Sequence, residues 1–144
     1  MKKIKIVALI ASIIGFLVSV YLVIVKYSPA LLYCTPGLGD CQGVQNSQWS
    51  TMWGIPIALF GALAYLTLIG CYLLENKNHF TKKYAFYVVF GVSFFGFLYS
   101  LYLTWLEFFI IRAVCQWCIV SAVCMTLIFI TTVVQLKQYQ YRTK

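Results

Sequence analysis

Four stretches of this chain, residues 6–25, 55–74, 84–106 and 118–136, contain no charged side chain. A hydrocarbon core about 30 Å thick needs about 20 apolar residues at 1.5 Å rise each, so every one of them is long enough to cross a bilayer. In lipid, backbone groups must pair within their own segment or within a closed barrel, and runs of this length without two-residue alternation select helices. Pro56 opens the second run, where the first helical turn leaves its missing N–H unneeded. Composition agrees: with 62% hydrophobic and 10% charged residues in 144 positions, too little polar surface exists to coat a water-soluble globule. The expected fold class is all-α, an integral membrane four-helix bundle. It forms a single domain over 1–144, with a long outer loop and a short interfacial helix between helices 1 and 2.

The basic start, Lys2, Lys3 and Lys5, followed by twenty apolar residues has the order of a secretory signal, but the apolar run is too long for one. The "LLYC" stretch at 31–34 has bulky Tyr33 where lipoprotein cleavage requires a small residue, so neither pattern favours processing. Charge placement sets the orientation. Lys2, Lys3, Lys5, Lys77, Lys82, Lys83, Lys137, Arg142 and Lys144 fall on one side of the four spans, and only Lys26 and Arg112 on the other. The positive-inside rule then puts both termini and the middle loop, with His79, in the cytoplasm of a multi-pass cell-membrane protein. The net charge of +8 is spread in small groups beside spans, without one stripe of interleaved aromatics. Anionic lipid headgroups of the bilayer match that pattern, and nucleic acid does not.

The extracytoplasmic side then carries segments 27–53 and 107–117, and four of the six cysteines lie in or beside them. Cys115 and Cys118 form a C-x-x-C at the start of a helix, where unpaired amides and the positive dipole end stabilise a thiolate on either sulfur. A disulfide over so short a loop removes little chain entropy, so the pair suits reversible electron transfer better than scaffolding. Cys34 and Cys41 sit on a loop with Pro36, Gly37 and Gly39, whose freedom lets a second pair swing towards the first. Disulfides form and persist on that side of a bacterial membrane. The competing readings are a permanent clamp and a four-cysteine zinc site. Zinc is disfavoured by the six-residue separation on a Gly-rich loop and by the lack of a histidine in either segment. Cys71 and Cys124, inside spans, read as small apolar core residues. A thiolate at the top of a bundle rich in Phe, Tyr and Leu faces the depth of a lipid-soluble two-electron acceptor, which points to a quinone. Spacings for haem ligation, an iron cluster or a phosphate-cradling Gly loop are missing.

Cys34 and Cys41, then Ser47, then Gly54-Ile55-Pro56, and finally "CQWC" opening the last helix resemble the bacterial branch of the vitamin K epoxide reductase family. The resemblance implies a quinone reductase that oxidises a thioredoxin-like partner. It assigns partner exchange to Cys34, transfer to Cys115 through Cys41, attack on the quinone to Cys118, and loop stabilisation to Ser47, which alone would also read as a helix cap. Many bacterial members carry a fused thioredoxin-like domain; this chain ends at Lys144, so the expected partner is a separate thioredoxin-like extracytoplasmic protein. Residues expected at the quinone, of menaquinone or ubiquinone type and without a metal, are Cys118, Trp53, Ile57 and Ala122. Ala122 departs from mammalian members, which carry a tyrosine there. The segment 49–53 is expected to be the short headgroup-level helix that lids this site, Trp105 and Trp117 to join an aromatic belt, and Glu107 to relay a proton. The disulfide bond formation protein B family shares four spans and two cysteine pairs in the opposite order. The non-enzymatic alternative is a disulfide-stabilised membrane scaffold or partner-binding protein.

Overall fold

A computed structural model describes residues 2–37, 39–74 and 79–142. Helix α1 spans Lys2–Tyr27, a short α2 spans Cys41–Asn46, α3 spans Ile57–Leu74, α4 spans His79–Leu106 and α5 spans Gln116–Arg142. The long four are α1, α3, α4 and α5, each apolar and long enough to cross a membrane. The fold is the expected all-α membrane bundle, with α1 packed on α3 and α5, and α4 on α3 and α5.

Its surface chemistry is that of a protein solvated by lipid. Ile10, Ile13, Leu17 and Ile24 of α1, Leu63 and Leu66 of α3, and Phe95 and Leu101 of α4 point outward, while Ser12, Ser19, Ser93 and Thr132 are buried. Small and hydroxylated residues let membrane helices approach closely, because burying Leu against Leu gains little when lipid is equally apolar. Ser12, for example, returns its hydroxyl to the Ala8 carbonyl at 2.8 Å and so brings no orphan donor into the core. One apolar cluster, centred on Tyr65, Leu68, Met125 and Ile128, holds the middle of the bundle. A second joins Val18 and Leu22 of α1 to Cys41, Val44 and Cys115 at the loop-bearing end.

The structure differs from expectation in how the helices end. Ile55 and Pro56 are not helical: they pair antiparallel with Thr51–Met52 in a two-residue ribbon, β1 (Thr51–Met52) and β2 (Ile55–Pro56), joined by Trp53 and Gly54, both at positive φ. That is the pattern of a type I′ hairpin turn, which matches the natural twist of two strands. The short α-helix between spans lies over Cys41–Asn46, because Asp40 supplies its N-cap, accepting the Gly43 amide at 2.9 Å; of the expected helix at 49–53 only a 3-10 turn, Gln48–Ser50, is present before β1. Helix α4 begins at His79, so His79, Lys82 and Lys83 are in a helix instead of a loop. Lys77 and Lys144, both counted in the charge asymmetry, lie outside the described residues. Past Leu106 the chain makes one π-helical turn, Glu107–Ile111, and leaves it through Arg112 in the left-handed region at φ 53°. An L-residue there is uncommon and costs about 1–2 kcal/mol, so the turn must be held by its surroundings.

Candidate active site

All four expected cysteines gather at one end of the bundle. Cys34 and Cys41 are disulfide-bonded, Cys115 and Cys118 are free thiols, and Cys41 and Cys115 are both fully buried in the same apolar cluster, with Cys34 and Cys118 packed against it. Three contacts bring the two segments together. The Trp117 indole donates to the Tyr33 carbonyl at 2.9 Å, the Thr35 amide donates to the Gln116 side chain at 3.4 Å, and Gly39 lies so close to the Val114 carbonyl that a side chain would not fit. Tyr21 of α1 completes the brace. Its hydroxyl accepts the Tyr33 amide at 3.0 Å and donates to Leu31 at 3.1 Å, and its ring meets that of Trp117 with centroids 5.0 Å apart. Trp117 is therefore a structural tie between the cysteine segments as well as an aromatic at the bundle's rim; Trp105 is half-exposed and stacked on Phe109.

Helix α5 starts at Gln116, so Cys115 is its N-cap and Cys118 its third residue, with the Cys115 carbonyl taking the Ile119 amide at 3.1 Å. The Cys118 thiol, hydrogen-bonded to the Cys115 sulfur, holds the Cys115 thiol below its ordinary range; burial opposes this, the backbone amides of Cys118 and Trp117 add to it, and the Glu107 carboxylate works against it. Glu107 is buried. It accepts the Cys115 amide at 3.2 Å.

A cavity of about 690 Å³ runs along the seam of α3, α4 and α5, within the size range of small-molecule sites. Its wall extends from Thr67 and Gly91 at mid-bundle to Glu107 and Cys118 at the loop-bearing end. Of the four site cysteines, Cys118 alone lines it. Ile57, Ala122 and Ser47 are in the wall as well, whereas Trp53 is not: it occupies the hairpin tip, 98% exposed, and Trp49 faces the cavity instead. The two-residue turn explains this, since its tip residues project away from the helices. The expected lid segment 49–53 does contribute Trp49 and Met52 to this wall, whereas sequence reasoning missed Tyr65, Tyr99, Ser100 and Thr104, because which face of α3 or α4 is lined cannot be read from runs that are apolar all round. The Tyr65 hydroxyl bridges to α5, donating to the Ser121 carbonyl at 2.7 Å and meeting its hydroxyl at 3.0 Å. A long, mostly apolar space with a few hydroxyls and one thiol suits a planar, lipid-soluble ring with a tail.

The roof over this cavity is tied from α1. Lys26 donates to the Gln45 carbonyl and, at 2.6 Å, to the Ser50 hydroxyl, and Ser50 in turn meets the Gln45 and Ser47 carbonyls at 2.7 and 2.8 Å. The Ser47 hydroxyl donates back to the Val44 carbonyl at 2.7 Å. It closes the C-terminal end of α2 and makes no side-chain cap on the turn that follows. Among the described residues, no group of three or more His, Cys, Asp or Glu side chains could hold a metal ion.

The family model of the vitamin K epoxide reductase family matches residues 6–133. The chain belongs to this family. Membership brings membrane thiol–quinone oxidoreductase chemistry in general terms, with a quinone as electron carrier. The matched span includes all four cysteines gathered here around one buried cluster.

Proposed function

We propose that this chain, as a single four-span domain over 1–144, reoxidises a thioredoxin-like extracytoplasmic protein and passes the electrons to a menaquinone- or ubiquinone-type quinone. The carrying observation is the split of the four sulfurs: Cys41 and Cys115 share one buried cluster, while Cys118 lines the cavity. In this reading the partner's dithiol reduces the loop disulfide, attacking at Cys34, the bonded sulfur that is not fully buried. The freed Cys41 thiolate then attacks Cys115 of a Cys115–Cys118 disulfide formed by the preceding quinone reduction, releasing Cys118. Cys34 displaces Cys115, whose lowered thiol suits it to leave, so that the loop disulfide re-forms and the Cys115–Cys118 dithiol results. The quinone supplies the final two-electron oxidation of the Cys115–Cys118 dithiol. Ser47, Ser50 and Lys26 keep the roof closed over Cys118 and exclude water, and Ile57 and Ala122 flank the ring. The charge asymmetry supports cytoplasmic termini and an extracytoplasmic site.

The test is turnover by the purified full chain in detergent, with a thioredoxin-like dithiol protein as reductant and a panel of quinones. Quinone reduction that is lost on replacing any one of the four site cysteines is the expected result. Turnover that survives Cys118→Ala would exclude the proposal.

A further inference from the structure

We infer that Glu107 is a catalytic residue of the quinone half-reaction, taking the proton from the Cys118 thiol and delivering it towards the quinone oxygen. The inference rests on the proposed quinone reduction and deepens it. Glu107 is only 4% exposed, yet it lies at the outer end of a helix in a chain with 3 acidic residues in all. A carboxylate taken from water is expensive unless its oxygens are satisfied. Its hydrogen-bond partner is the backbone amide of Cys115 at 3.2 Å, the first cysteine of the C-x-x-C itself. Glu107 also borders the cavity that Cys118 borders, so the acid and the reacting thiol face the same space, the one proposed for the acceptor.

The backbone is built for this placement. Glu107 opens the π-helical turn that interrupts the end of α4, an irregularity that clusters at functional sites. The turn ends at the left-handed Arg112, which redirects the chain so that Cys115 returns within hydrogen-bond reach of the carboxylate eight residues earlier. Of the two basic residues at this end, Lys26 and Arg112, Lys26 is engaged by Gln45 and Ser50. Oxidation of the dithiol breaks two S–H bonds, forms the Cys115–Cys118 S–S bond, and releases two electrons and two protons; the quinone takes two of each and becomes the hydroquinone. The Cys115 proton exchanges with solvent, the Cys118 proton passes to Glu107 and on to the first quinone oxygen, and solvent supplies the second.

The experiment compares wild type, Glu107→Gln and Glu107→Asp as full chains in lipid nanodiscs, with dithiothreitol as reductant and short-chain ubiquinone and menaquinone analogues as acceptors. The ionisable groups around Glu107 are Cys115 before α5 and Cys118 on it, with Tyr65 of α3 and Tyr99 of α4 in the shared wall, so the wild-type pH profile is the reference for their own ionisation. Glu107→Gln keeps an oxygen for the Cys115 amide; its kcat at neutral pH falls about 100-fold, its quinone KM stays within about threefold, and its rate climbs with pH as solvent replaces the missing base. Glu107→Asp retains an acid and recovers about a tenth or more of the rate. A Glu107→Gln enzyme within about threefold of wild type overturns the inference, as does an equal loss at every pH that Glu107→Asp shares, which marks a structural role. Wild type that reduces neither quinone overturns the proposed function as well, which separates the two failures.

Discussion

The Trp117 indole donates to the Tyr33 carbonyl, 2.9 Å away and 84 residues earlier in the chain. One hydrogen bond thus joins the residue before Cys34 to the residue before Cys118, and it sets how the loop pair approaches the helix pair.

Trp117→Phe keeps a ring against Tyr21 and loses the donor. A lost hydrogen bond of this kind is worth about 1 kcal/mol, roughly a fivefold change in the population of the docked loop. Turnover driven by a protein dithiol is expected to slow by about that factor, while turnover driven by a small dithiol that reduces Cys115–Cys118 directly stays unchanged. Steady-state rates with the two reductants check it.

Exchange between Cys41 and Cys115 has a pH dependence whose sign follows from the lowered Cys115 thiol. The thiolate is present above the folded-state value and is lost as pH falls through it, so exchange should be half-maximal below the free-thiol value of about 8.5. The stability the thiolate contributes is complete above the ordinary value and disappears over the same downward window. Cys118→Ala removes the largest cause, so the midpoint should move up towards the free thiol. Stopped-flow exchange across the pH range measures both.

Two loop glycines with positive φ should respond differently to alanine. Gly39, at φ 150°, faces the Val114 carbonyl, and Gly37, at φ 88°, faces open space. Gly37→Ala is expected to cost about 1–2 kcal/mol of backbone strain and to leave exchange intact. Gly39→Ala adds a backbone collision, so it should push the loop off α5, lower the thermal midpoint further and slow Cys41–Cys115 exchange. Thermal unfolding and exchange rates of the two variants decide the contrast.

The two tryptophans of the hairpin region separate as well. Trp53→Asn places a residue that tolerates the left-handed region at the turn and should leave the quinone KM within about twofold. Trp49→Ala opens the cavity wall and should raise that KM several-fold. Quinone titrations of both variants check the assignment.

The helices were legible because lipid imposes a length and excludes charge, so four uncharged runs sufficed to place α1, α3, α4 and α5. The grouping of Cys34, Cys41, Cys115 and Cys118 was legible from their order relative to those runs. What was hidden depends on contacts distant in sequence. The π-helical turn at Glu107 is held by a bond to Cys115. Trp117 reads as one more interfacial aromatic until Tyr33 is beside it, and Trp53 reads as a lid until the φ values of Trp53 and Gly54 make a hairpin turn. The Asp40 cap was in plain sight before a short helix; the aromatic segment at 49–53 drew the expectation instead.

The central claim is that Cys41 and Cys115 are close enough to trade a bond. In the double variant Cys34→Ala, Cys118→Ala, these are the only site sulfurs left, and mild oxidation followed by peptide mapping reads their pairing. An intramolecular Cys41–Cys115 disulfide forming in nearly every molecule is the expected result. Two thiols that stay free, or that pair only between molecules, would contradict the account.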